Sequence, residues 1–96
     1  MQYLIVDGYL NGTGIRDKIT GGYLSHLELG ISAALSKKID IWLKKYWNEF
    51  YTQYAHSNII TILDEEGKQL ARELQMELTD ANIEYYSDAK LMYLSK

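Results

Sequence analysis

The residues able to do chemistry are few, and their spacing narrows what that chemistry could be. His26 and His56 are the only histidines and stand thirty positions apart. Neither an HxxxH nor an HExxH ligand pair exists, so the expectation is no metal site and no cofactor. His26 sits in a glycine-rich segment where a general base is conceivable. No catalytic partner is spaced near it, which favours a surface or capping role. Asp7 directly follows a short apolar run, the place where many α/β proteins put a functional carboxylate. With Asp17 and Glu28 it could build a small acidic site, although Asp7-Gly8 also reads as a plain turn. There is no cysteine, which removes disulfides, thiolate ligands and a thiol nucleophile together. No nucleophile elbow and no paired-carboxylate signature occurs, so the chain is expected not to be an enzyme.

Six of the seven glycines fall within residues 8–30. The run Asn11-Gly12-Thr13-Gly14-Ile15-Arg16-Asp17 invites a phosphate-loop reading, but it lacks both Gly-Lys-Ser/Thr and GxGxxG. A small-ligand or nucleotide site over residues 8–22, using Asp7, Arg16, Asp17 and His26, is the alternative reading of function. The plain reading is a structured surface loop pinned to the core by Tyr23, Leu24, Leu27 and Leu29.

The elements that position these residues are legible from periodicity. Residues 3–6 form a β-rich run whose consecutive apolar side chains suit a central strand. Ser32 is a candidate N-cap for a long helix with core positions Leu35, Ile39, Trp42, Tyr46 and Phe50. Leu43, Trp47, Tyr51 and Tyr54 make a second, adjacent stripe. Residues 58–63, rich in isoleucine, read as a second strand or an extended entry to the next helix. The organising stretch is residues 64–86. Asp64 is the expected N-cap, with Glu65 and Glu66 at the positive end of the helix dipole. Leu70, Ala71, Leu74 and Leu78 supply its apolar face, and residues 83–86 then suit a strand. Residues 91–94 can pair as a last short strand. The fold class is therefore α/β (α+β), one globular domain over residues 1–96, with a sheet of two to four strands packed on two amphipathic helices.

At 47% hydrophobic and 24% charged residues the composition is that of an ordinary globular domain. No apolar run approaches a membrane span and the first residues do not resemble a signal peptide, so the expectation is a cytoplasmic protein without membrane contact. Charge is uneven. Residues 1–57 carry six Lys/Arg against five Asp/Glu, and residues 58–96 carry four against eight, so the net −3 resides in the second part. An acidic surface disfavours nucleic acid, even though lysines beside Tyr and Trp on the long helix could mimic a single-strand platform. It suits a basic protein partner, against the plain alternative of a solvated helix face. The expected partner-binding set is Trp47, Tyr51, Tyr54, Asp64, Glu65, Glu66, Glu73 and Glu77. The alternatives are that both aromatic stripes are buried, or that the second one is the interface of a homodimer.

Residues 41–46, Ile-Trp-Leu-Lys-Lys-Tyr, are followed by Leu63-Asp64-Glu65-Glu66-Gly67-Lys68-Gln69-Leu70-Ala71, by Leu74-Gln75-Met76-Glu77-Leu78 and by Ile83-Glu84-Tyr85-Tyr86. Over about the last sixty residues this succession resembles small bacterial immunity proteins that accompany polymorphic or contact-dependent growth-inhibition toxins. The resemblance implies a non-enzyme that binds and neutralises one cognate toxin domain, such as a basic nuclease, by protein–protein contact. It implies no particular binding residues.

Overall fold

A computed structural model describes residues 1–94. The chain runs β1 (Gln2–Val6), β2 (Ile15–Asp17), a short helix α1 (His26–Leu29), α2 (Ala33–Tyr51), α3 (Ser57–Glu77), β3 (Ala81–Ser87) and β4 (Met92–Leu94). The four strands form one mixed sheet in the order β2-β1-β3-β4. β1 and β3 pair in parallel, with Val6 opposite Tyr85, and the two short edge strands are antiparallel to them. The α2–α3 hairpin is the crossover that makes the parallel pairing possible. This is the α+β architecture expected from periodicity.

Alternation along the strands decides which side is core. Leu4 and Val6 of β1, Ile15 of β2, and Ile83 and Tyr85 of β3 face the helices. They pack there against Leu35, Ile39, Trp42, Leu43 and Tyr46 of α2 and Leu63, Leu70, Ala71 and Leu74 of α3. Phe50, expected in that stripe, is 41% exposed: it lies in the last turn of α2 and its ring stands against Tyr51 and Tyr54. The glycine-rich segment is not bare loop. It contains β2 and α1, and Leu24 and Leu29 pack on the core, while Leu27 is exposed. α1 is closed at its start by a Ser25–Glu28 capping box.

Residues 58–63 are helical, not a strand. The buried positions of α3 are Ile60, Leu63, Asp64, Gly67, Leu70, Ala71 and Leu74, an uninterrupted helical stripe. Packing of that stripe outweighs the strand preference of the isoleucines, of which Ile59 and Ile62 point outward. Asp64 is consequently not an N-cap. It lies two turns inside α3, and Glu65 and Glu66 are mid-helix, away from the dipole's positive end. His56 holds the cap position instead, with no side-chain cap bond. At the other end of the hairpin, Ser32 caps α2 as expected, accepting from Leu35 N at 3.1 Å. Glu77 from the last turn of α3 accepts from Ser32 N and Oγ, both at 2.7 Å, and so ties the two helix ends together.

Gly67 is the one glycine inside a long helix, and close packing explains it. A Cβ there would collide with the Tyr85 ring and approach Trp42 Cζ2 at 2.7 Å. Gly8 has a similar role: its missing Cβ leaves room for the Tyr46 ring at 2.6 Å.

Candidate functional site

In parallel sheets, ligands gather at the carboxyl ends of the strands, because loops diverge there and expose backbone and side chains. β1 ends at Val6 and is followed by Asp7; β3 ends at Ser87 and is followed by Asp88. Parallel pairing brings these two carboxylates to the same edge. They line a cleft of about 450 Å³ with Tyr9, Arg16, Gly21, Tyr23, Tyr86 and Leu91. That size is within the usual range of small-ligand sites.

Asp7 is fully buried and fully engaged. It accepts from Tyr23 Oη at 2.7 and 2.9 Å, from Arg16 Nε at 3.1 Å and from Tyr9 N at 3.3 Å. Burial pushes its pKa up, while the Tyr23 and Tyr9 hydrogen bonds and the Arg16 charge pull the other way. Burial, with the Asp7 carboxylate next to it, also raises the Tyr23 phenol well above its ordinary value. Tyr23 stacks on Tyr9 with ring centroids 5.7 Å apart, and the Arg16 guanidinium lies 6.0 Å from the Tyr86 ring. Asp88 is half-buried, and among the described residues no hydrogen bond or ion pair reaches its carboxylate. Burial pushes its pKa up to about 6, Asp7 adds to the rise, and Arg16 opposes it.

The turn that carries Asp88 is anchored from beneath. Asp64, 1% exposed, accepts from Tyr85 Oη at 2.6 Å, Ser87 Oγ at 2.8 Å and Tyr46 Oη at 2.9 Å. Tyr46 Oη in turn accepts from Ala89 N at 3.2 Å, and Ser87 Oγ accepts from Lys90 N at 3.1 Å. Lys90 sends its ammonium to Asp64 at 3.7 Å. Burial, above all, pushes both the Tyr46 and Tyr85 phenols far up, which keeps them protonated donors.

Of the residues expected in a ligand loop, Asp7 and Arg16 are therefore brought together and the other two are not. Asp17 caps its own turn, accepting from Ile19 N at 2.8 Å and Thr20 N at 3.1 Å. His26 is held between Ser36 Oγ at 2.7 Å and the Thr13 carbonyl at 2.6 Å. A carbonyl only accepts, so Nε2 carries the hydrogen and Nδ1 faces the serine hydroxyl. Asp88, Tyr9, Tyr23 and Tyr86 were missing from that set. The signal for Asp88 was available: it is the acidic residue that closely follows the second apolar strand, as Asp7 follows the first.

The expected partner-binding residues divide sharply. Asp64 is a core residue and presents nothing to a partner, because its carboxylate is the acceptor that three buried hydroxyls require. Glu66 pairs with Lys45 and Glu73 with Lys38, each at 2.9 Å across the helix hairpin, and Glu65 pairs with Lys68 at 2.6 Å. Glu77 is held by Ser32. The acidic row of α3 is thus largely matched by lysines within the chain. Trp47 is half-buried and donates from Nε1 to the Tyr9 carbonyl at 3.0 Å, fastening the loop that follows β1. Tyr54 is half-buried against Tyr46 and Phe50, with ring centroids 6.0 Å away in both cases. Tyr51 is 71% exposed and stands against Phe50 at 5.6 Å.

Among the described residues no group of three or more His, Asp or Glu side chains is arranged to hold a metal ion, and no helix is long and apolar enough to cross a membrane. No family model, curated protein or solved structure matches the chain.

Proposed function

We propose that this chain is an immunity-type binding protein that neutralises a basic bacterial toxin domain, such as a nuclease, by covering it. The observation that carries the reading is a ladder of rings that starts in the core and ends in solvent. Trp42 lies against Tyr46, Tyr46 against Tyr54, Tyr54 against Phe50 and Phe50 against Tyr51, each pair with centroids 5.4 to 6.0 Å apart. The outer members, Phe50 and Tyr51, are 41% and 71% exposed at the tip of the helix hairpin. Rings braced in this way lose little freedom on binding, which is what an interface anchor requires. The net charge of −3 adds a modest attraction for a basic partner, reduced by the internal Lys–Glu pairs.

The test is co-expression with the toxin domain encoded beside it, followed by affinity capture through the toxin. The expected result is a complex that restores growth. Tyr51→Ala should weaken it by at least about thirty-fold, the equivalent of a hot-spot loss near 2 kcal/mol. Failure of the pair to associate, or full protection by Tyr51→Ala, would refute the reading.

A further inference from the structure

The cleft at the carboxyl ends of β1 and β3 has a chemistry separate from the aromatic tip. We infer that it binds an organic cation of guanidinium or alkylammonium type, held by the Asp88 carboxylate between the rings of Tyr86 and Tyr23. This does not depend on the identity of any partner bound at the tip.

The argument begins with charge. The cleft wall holds two carboxylates, Asp7 and Asp88, and one cation, Arg16. Asp7 has taken that cation, together with a phenol and a backbone amide. Among the described residues no donor reaches the Asp88 carboxylate, and it is half out of water. The groups facing it from each neighbouring element are Asp7 after β1, Arg16 on β2, Tyr23 in the following loop, Tyr86 on β3 and Tyr54 after α2. None of these supplies a second positive charge. Lys90, on the same turn, is directed at Asp64 instead.

The second part of the argument is shape. Tyr9, Tyr23 and Tyr86 give the cleft three aromatic walls. The electron-rich face of an aromatic ring attracts a cation, more so where water is partly excluded. The protein already uses this chemistry at the same place, since Arg16 lies over Tyr86. An anion would meet two carboxylates, and a neutral ligand would leave the Asp88 charge unmatched. A cation is the ligand class that relieves the defect the structure retains. The turn is also held rigidly by the Asp64 network, so the carboxylate is presented without further ordering.

The experiment is an NMR titration of the full chain with N-acetyl-arginine N-methylamide, with methylguanidinium, and with the neutral isostere N-acetyl-citrulline N-methylamide. The two cations should shift the Asp88, Tyr86 and Tyr23 signals with millimolar affinity, and the citrulline compound should not. Binding should be about tenfold weaker at pH 5 than at pH 7.5, because Asp88 must be ionised to hold the ligand and titrates near 6. Asp88→Asn strands no donor and should keep the fold. It should lose the binding and its pH dependence, and Tyr86→Leu, which removes the ring, should weaken the binding as well. Tighter binding of the peptide-like arginine than of methylguanidinium would identify a protein side chain as the source of the cation; the reverse order would identify a free small molecule. Equal shifts from citrulline, or unchanged binding by Asp88→Asn, would overturn the inference. Either result leaves the toxin-capture test untouched, because that one reads Tyr51.

Discussion

Asp64→Ala should be among the most destabilising substitutions available in this chain, and the structure gives the reason and the size. The wild-type carboxylate accepts from three buried hydroxyls, Tyr85 at 2.6 Å, Ser87 at 2.8 Å and Tyr46 at 2.9 Å. Removing it leaves those donors in the core. Tyr46 can turn to Ser87 Oγ, 3.3 Å away, so two hydroxyls remain stranded. A stranded buried donor costs about 1–3 kcal/mol, which places the total near 3–4 kcal/mol. The Lys90 ammonium adds little, since Lys90 is 41% exposed and returns to water. A domain of this length is stable by roughly 5–14 kcal/mol, so the loss is a large fraction of the whole. Urea unfolding followed by tryptophan fluorescence at pH 7 measures it. Asp64→Asn should cost about 1 kcal/mol, because its oxygen still serves both tyrosines and Ser87 Oγ can accept from the new amide. The sharpest control is Tyr85→Phe. In the wild type it should destabilise, because it deletes a hydrogen bond. In the Asp64→Ala background it should stabilise, because it deletes a stranded donor. If Tyr85→Phe costs the same in both backgrounds, or if Asp64→Ala falls within about 1 kcal/mol of wild type, the account of this core is wrong.

Asp88 has a folded pKa of about 6 against an ordinary 3.8, so its ionisation works against the fold, and stability is lost as pH rises through that window. Asp88→Asn should therefore match wild type at pH 4, gain on it between pH 4 and 6, and stay ahead above that by about 1–2 kcal/mol once solvent screening is allowed for; thermal unfolding across pH checks this, and a pH-independent gap would contradict it. Gly67→Ala places a methyl group against Tyr85 and Trp42, and overpacking of about 1–3 kcal/mol should exceed the gain in helix propensity of under about 1 kcal/mol. A stabilised Gly67→Ala protein in urea unfolding would mean that the rings move aside freely.

The fold was readable where periodicity was long and unbroken. Leu35, Ile39, Trp42 and Tyr46 marked α2, and Leu70, Ala71 and Leu74 marked the second half of α3. The start of α3 was not readable in the same way. Four β-branched residues in succession, Ile59-Ile60-Thr61-Ile62, favour a strand locally, and only the tertiary stripe from Ile60 through Leu63 and Gly67 makes them helical. That misplaced boundary is also why Asp64 looked like a surface cap. A charged residue two turns inside a helix is almost always outward, and nothing local shows that Tyr46, Tyr85 and Ser87 converge on it from two other elements. The cleft was half legible. Asp7 and Arg16 lie in one loop, but Asp88 reaches them only through the parallel pairing of β1 with β3, a contact between chain segments some eighty residues apart.

The buried network and the open cleft are two sides of one structural solution. Tyr46 touches both: its hydroxyl belongs to the Asp64 network, and its ring fills the space that Gly8 leaves beside Asp7. Ser87 and Asp88 are neighbours on the chain, one turned inward to Asp64 and the other outward to the cleft. The cost of placing a carboxylate in the core is offset by giving it every donor it can use. The turn fixed in this way then presents a second carboxylate, Asp88, that no donor among the described residues reaches. A fold selected for stability alone would have no reason to keep Asp88 there, since an uncharged residue would be better tolerated at neutral pH. The contrast between Asp64, fully satisfied inside α3, and Asp88, which no donor among the described residues reaches on the turn that Asp64 anchors through Ser87, is the physical reason for placing a ligand at Asp88 and not at Asp64.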